Sequence, residues 1–180
     1  MIHQFNVTDD IYNKLIKYSK DKSSEYNHRL AGNLENEFNL MKYSSEIQPF
    51  ILKELNQIKP LMDYFKDLRV LHPKDLPLTL GDLWVNHQKK YEFNPFHNHT
   101  SVFSFIIFLK IPYTNEEQAL VSPGKKSNND KAGKLCFYYL DQNVDGGINE
   151  LTLPVDKKWE RVGLIFKSNL NHVVWPFYSD

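Results

Sequence analysis

The sequence has one cysteine, little glycine and no excess of either charge. Among its 180 residues are the single Cys136 and seven glycines, and 22 basic residues balance 22 acidic ones. A lone cysteine excludes an internal disulfide and a zinc site built from several thiolates, and it favours a reducing compartment. The scarcity of glycine leaves no phosphate-binding loop. The absence of a basic surplus argues against nucleic acid as a partner.

Long apolar runs are also missing. No stretch approaches the roughly 20 residues that a membrane-spanning helix needs. The first ten residues, MIHQFNVTDD, lack the basic and apolar blocks of a signal peptide. These absences predict a cytoplasmic protein without a membrane partner. The length predicts one domain, 1–180, and an aromatic content of 14% suits a β-rich interior.

The first third of the chain carries helix signals. Residues 9–21 follow a cap residue, Thr8, with two acids in the first turn and an apolar stripe behind them. A second, weaker helix is predicted within 26–40. The clearest helix is predicted over 45–65, with a kink or an end at Pro60. These signals predict a helical layer in the N-terminal 68 residues.

From residue 69 onward the pattern changes to strands. Short runs rich in β-branched and aromatic residues are separated by Pro, Gly and Asn. Helices followed by strands predict an α+β fold, with a helical buttress over 1–68 and a β-sandwich or jelly roll over 69–180. The predicted strands lie within 78–88, 102–111, 134–140, 148–154 and 161–167.

One long polar connection interrupts these strands. Residues 113–133 join two strong strand signals, and connections of this length in compact domains are often functional. We expect either a mobile flap near a functional site or a plain disordered insertion.

Histidines supply the clearest chemical signal. In NPFHNHTSVFSF, His97 and His99 stand at positions i and i+2, which project from one face of a strand. His172 opens another apolar run, NHVVWPFY, from which a late strand can deliver a third imidazole. Three ligands on one face leave positions open for substrate or oxygen. Imidazole suits Fe(II), Zn, Cu and Ni alike, and Asp141 is an alternative carboxylate ligand.

Several motifs occur together in this chain. They are Trp84-Val-Asn86, the His97-Asn-His99 pair, the apolar strand FSFIIFLKIP, and the segment from His172 to Tyr178, HVVWPFY. In this combination the chain resembles the 2-oxoglutarate/Fe(II)-dependent oxygenases of marine bacteriophages, which are relatives of the prolyl 4-hydroxylases. The upstream segment HRLAGNLENEFNL also resembles a segment of those proteins.

The resemblance implies a fold, a chemistry and a set of site residues. The fold is a double-stranded β-helix (a cupin-like jelly roll). The activity is that of an Fe(II) dioxygenase, a hydroxylase, which uses 2-oxoglutarate and O2 on a small-molecule or peptide substrate. His97, His99 and His172 are the implied iron ligands. Trp84 and Asn86 share one strand face, from which Asn86 either hydrogen-bonds the cosubstrate or ties down a loop.

Two departures from this family leave alternatives open. His99 stands where most members have a carboxylate, and three histidines are also the ligand set of many cupins. A three-histidine dioxygenase that needs no 2-oxoglutarate, or a non-catalytic jelly roll, therefore remains an alternative. The family also has a later strand with an arginine for 2-oxoglutarate, whereas this sequence ends at Asp180. We expect either a truncated chain with weak 2-oxoglutarate binding, or Lys110 as a substitute cation; the alternative for Lys110 is a solvent-exposed strand end.

Overall fold

A computed structural model describes residues 2–58, 78–143 and 145–180 of the chain. This part of the chain contains three α-helices, nine strands and three short 3-10 turns. The helices are α1 (Asp9–Tyr18), α2 (Ser44–Leu55) and α3 (Asn115–Val121). The strands are β1 (Ile2–Asn6), β2 (Glu37–Asn39), β3 (Trp84–Asn86), β4 (Asn94–His97), β5 (Phe103–Ile107), β6 (Leu135–Leu140), β7 (Ile148–Leu153), β8 (Val162–Lys167) and β9 (Asn171–Val174).

The strands form three sheets, and their pairings are antiparallel. One sheet has three strands in the order β1-β8-β5, a second pairs β2 with β3, and a third has four strands in the order β4-β9-β6-β7. The architecture is therefore α+β with antiparallel sheets and few helices, and it is compatible with a β-sandwich. None of the helices in the described ranges is long and apolar enough to cross a bilayer.

Strand β8 separates the two hydrophobic cores. Its side chains alternate between faces, as the pleat of a strand requires. Ile165 joins the core that contains the apolar residues of α1 and α2, such as Leu15 and Ile47. Leu164 and Phe166 point the other way, into a core shared with the four-stranded sheet. The order of layers is thus helices, three-stranded sheet and four-stranded sheet.

The core between the two sheets is aromatic. Phe137 of β6 and Phe166 of β8 are at most 1% exposed, and their rings meet edge to face with centroids 5.0 Å apart. Full burial of such a side chain stabilises the fold by about 1.5–3 kcal/mol. This pair holds the sheets together directly behind the histidine cluster that is described below.

The helix predictions are confirmed in part. Helix α1 starts after Thr8, although the Thr8 side chain makes no capping hydrogen bond. Helix α2 begins at Ser44 and ends at Leu55. The rest of the predicted 45–65 helix, including its expected end at Pro60, lies largely outside the described residues.

The predicted helix within 26–40 is wrong. That segment contains only a 3-10 turn, Asn27–Arg29, followed by β2. Strand β1 was also not predicted, yet it pairs along its length with β8. The N-terminal third therefore supplies two strands to the sheets as well as two helices, because pairing with distant strands overrides weak local helix signals.

The five strand predictions are confirmed, with shorter bounds than expected. The connection 113–133, for which we expected a mobile flap or a disordered insertion, is folded. Helix α3 opens it with a capping box in which Thr114 and Glu117 satisfy each other's backbone N–H groups. The side chain of Gln118 then accepts from Tyr178 N–H and donates to Ser179 Oγ. These contacts tie the segment to the C-terminal residues.

Candidate metal centre

Two of the three predicted histidines face each other across a strand pair. His97 is the last residue of β4, and its register partner on β9 is His172. Directly opposite residues of an antiparallel pair project from the same face of the sheet. The register of β4 shifts between Asn94 and His97. This irregularity sets which residue of β4 stands opposite His172.

His99 approaches His97 and His172 from the loop that follows β4. We expected His97 and His99 to lie on one strand face, but β4 ends at His97 and His99 lies in the loop before β5. The His99 N–H donates to the Ser168 carbonyl at 2.8 Å. The side chain of Asn98 donates to Asn171 Oδ1 at 2.9 Å. These bonds join the loop to the turn that precedes His172.

A cluster of serine hydroxyls supports this junction. Ser168 is fully buried, and its Oγ lies 2.6 Å from Ser101 Oγ and 2.8 Å from Ser104 Oγ. Serines of this kind carry no motif that sequence reasoning could use. Their role in holding the His99 loop is visible only once β5 and β8 are paired.

The three imidazoles converge on one point. The centroid of the His97 ring lies 4.2 Å from that of His172 and 5.1 Å from that of His99, and the His99–His172 distance is 5.2 Å. One nitrogen of each ring lies within 4.8 Å of the other two. Nitrogens that each lie about 2.0–2.1 Å from one ion are about 3.0–3.5 Å apart. Rotation of the imidazole rings would bring the three nitrogens, which are at most 4.8 Å apart, to that separation.

Backbone carbonyls assign the tautomers of two rings. His97 Nδ1 lies 2.6 Å from the Pro95 carbonyl oxygen, and His172 Nδ1 lies 3.0 Å from that of Leu170. A carbonyl can only accept, so each Nδ1 carries the proton and each Nε2 keeps its lone pair. Metal-binding histidines are typically oriented in this way, by a hydrogen bond from the second ring nitrogen.

The site also keeps two of its imidazoles, those of His99 and His172, neutral. His172 is 2% exposed, between the rings of Phe137 and Phe166. This burial, together with the nearby His97 and His99, lowers the pKa of His172 to about 4. Burial likewise lowers the pKa of His99. Neutral imidazole is the form that binds a metal, so at pH 7 no proton has to leave these two rings first.

The carboxylate alternative is not at this site. Asp141 follows β6 in the β6–β7 hairpin, where its carboxylate accepts from Asn143 N–H and its own N–H donates to the Gly147 carbonyl. Among the residues that the structure describes, the three histidines form the one group of His, Cys, Asp or Glu side chains able to hold an ion. The donor set is therefore three nitrogens.

Of the other predicted site residues, Trp84 lies near the histidines and Lys110 lies far from them. The Trp84 ring lies 5.9 Å from that of His99, and Asn86 is exposed on the same face of β3. Lys110 instead pairs with Glu160, at 3.1 Å. That pair lies at the far end of β5 from His99, about 15 Å away by the length of the strand. The structure thus groups Trp84 with the histidines and separates Lys110 from them.

Comparisons with known proteins identify no relative of this chain. No family model, no curated protein and no solved structure matches this chain. The geometry of the histidine cluster and the sequence motifs are therefore the features that indicate a function.

Proposed function

We propose that this chain is a non-haem Fe(II), 2-oxoglutarate-dependent dioxygenase, a hydroxylase of a small-molecule or peptide substrate. The observation that carries the proposal is the convergence of His97, His99 and His172 within 4.8 Å, from two paired strands and one loop. The antiparallel sheets and their shared aromatic core support a double-stranded β-helix as the fold. The motifs that resemble phage oxygenases support the choice of iron and 2-oxoglutarate.

The residues at the site fit such a metal. Each ring of the His97–His172 pair directs a lone pair from Nε2, because its Nδ1 is engaged by a backbone carbonyl. Three ligands leave the remaining positions of an octahedral ion open. Iron held there would supply the activation of O2 that hydroxylation requires. Phe137 and Phe166 exclude water behind His172, and Trp84 covers His99.

A second function is favoured by two observations. The first is that, among the described residues, no carboxylate joins the three histidines as a possible ligand. Three neutral imidazoles leave the net charge of a bound divalent ion uncompensated, which alters its affinity and its redox potential. Lys110, the expected partner for a cosubstrate carboxylate, is paired with Glu160. Both observations suit a three-histidine dioxygenase that works without 2-oxoglutarate.

The test is anaerobic reconstitution of the full chain with Fe(II), followed by titration with 2-oxoglutarate. We expect a metal-to-ligand absorption band and, after O2 is admitted, release of succinate. The His172→Ala variant is expected to show neither. Iron binding with oxygen uptake but no succinate would select the three-histidine alternative. Iron binding without any turnover would indicate a non-catalytic jelly roll, and failure to bind any divalent metal would refute the site itself.

A further inference from the structure

Strand β2 carries an unusual buried acid. Glu37 is 0% exposed, and its Oε1 atom has no hydrogen-bond partner. Its Oε2 atom accepts from the Asn27 side-chain amide, at a long 3.5 Å. An ionised carboxylate loses its hydration when it is buried, and it needs charged or donating partners in return. One oxygen of Glu37 lacks such partners, which disfavours the ionised form of the carboxyl group.

A second oxygen lies beside the unpartnered one. A Cβ atom placed on Gly32 would lie 2.7 Å from Glu37 Oε1 and 2.7 Å from Asn94 Oδ1. The two oxygens are therefore at most 5.4 Å apart, twice that distance. Both act as acceptors when Glu37 is ionised, and they would then repel each other. A protonated Glu37 would instead offer an O–H donor to the Asn94 oxygen.

Burial and a neighbouring acid favour the protonated form of Glu37. Burial, together with the nearby Glu92, raises the pKa of Glu37 to about 7. The Glu92 carboxylate itself accepts from the backbone N–H groups of Glu35 and Lys89. The Lys89 ammonium is paired with Glu35. The lysine of this surface is thus engaged by another acid and does not neutralise Glu37.

Asn94 connects this acid to the histidine cluster. It is the first residue of β4, and His97 is the last. Because the register shifts between them, Asn94 stands opposite Val174 and His97 stands opposite His172. These two partners, Val174 and His172, are two residues apart on β9. Alternate residues of a strand share a face. Asn94 and His97 therefore project from the same side of the four-stranded sheet.

We infer that Glu37 is a positioning residue for His97, a neutral acid whose O–H donates to Asn94 Oδ1 and so fixes the irregular start of β4. The bond would join the two-stranded sheet to the strand that delivers His97. The same two-stranded sheet carries Trp84, whose ring contacts His99. This role rests on the proposed metal function, although the protonation of Glu37 does not.

The first experiment therefore uses metal-free protein. The infrared difference between wild type and Glu37→Gln at pH 6 should contain the carbonyl stretch of a protonated carboxyl group, which disappears as the pH rises through about 7. Glu35→Gln is the matched control, because Glu35 is exposed on the same segment; it should leave that band in place. A carboxylate spectrum for Glu37 at pH 6 would overturn the inference, because an ionised Glu37 would require Asn94 to present its amide N–H instead.

The second experiment measures Fe(II) and Zn(II) affinity. Glu37→Gln keeps a donor for Asn94 and should bind metal within about threefold of wild type. Glu37→Met removes the donor and should weaken binding by about 10–100-fold, the usual effect of losing a residue that orients a ligand. If Glu37→Met does not fold, Asn94→Ala tests the same bond and should show the same loss. Equal affinities for all variants would refute the positioning role, whereas a wild-type chain that binds no metal would refute only the proposed function.

Discussion

His97 and His172 lie directly opposite each other on the antiparallel strands β4 and β9, with their ring centroids 4.2 Å apart. The backbone hydrogen bonds of the sheet set this separation, so these two imidazoles are held close together without any contribution from a metal. His99 joins them through a loop whose position depends on Ser168. The positions of His97 and His172 therefore depend on the sheet, whereas the position of His99 depends on its loop.

We predict one divalent ion per chain, with affinity that depends on all three histidines. His97→Ala or His172→Ala should weaken binding more than the roughly 10–100-fold that loss of an orienting residue costs, since a ligand itself is removed. Isothermal titration and metal analysis of the purified protein would measure the affinity and the stoichiometry. His28→Ala is the control, because His28 is exposed on a 3-10 turn. A loss of equal size in the control would show that the histidine cluster is not the binding site.

We predict that Phe137→Ala will destabilise the fold by about 3–5 kcal/mol, because it opens a cavity between the sheets behind His172. The matched control is Tyr139→Ala. Tyr139 lies two residues along the same strand and the same face but is 49% exposed, so its loss should change stability by less than about 1 kcal/mol. Urea unfolding of both variants checks the difference, and comparable costs at the two positions would contradict the assignment of this core.

We predict that Gly163→Ala will destabilise the protein by about 1–3 kcal/mol through overpacking. Gly163 of β8 stands opposite Phe5 of β1, and an added Cβ would lie 2.1 Å from the Phe5 ring. Gly81→Ala is the control, since a Cβ there would meet nothing within 4 Å. Thermal unfolding of the two variants would compare them. If Gly163→Ala were as stable as Gly81→Ala, the close packing of β1 against β8 would be wrong.

We predict that Glu37 makes the folded state less stable as the pH rises. Burial raises its pKa from an ordinary 4.5 to about 7, so between these values the folded chain holds a proton that the unfolded chain has released. Stability from this group is then complete below pH 4.5 and is lost as the pH rises through 7, which removes about 3 kcal/mol.

Chemical denaturation of wild type and Glu37→Gln from pH 4.5 to 8 would test this prediction. Other groups titrate in the same range, and the difference between the two proteins removes their contribution. The wild type should lose stability relative to the variant with rising pH. A constant difference across the range would mean that Glu37 has the same pKa folded and unfolded.

Part of this organisation could be predicted from local patterns. The aromatic and β-branched runs indicated the strands that became β3 and β5–β8, because alternation and residue type are properties of a strand itself. The histidines 97, 99 and 172 could be nominated as a group because each stands at the edge of such a run. Local sequence patterns are thus enough to predict which elements form the β-rich half and which residue types are available to a metal.

How these residues come together depends on long-range strand pairing. Glu37 lies in a segment with weak helix signals, and it becomes a buried acid because β2 pairs with β3, almost 50 residues away. Lys110 could have faced the site, but the β5–β8 pairing places it beside Glu160 at the far end of the sheet. His99 reaches the cluster from a loop held by Ser168. Each outcome depends on partners distant in the chain, and local propensity carries no information about such pairings.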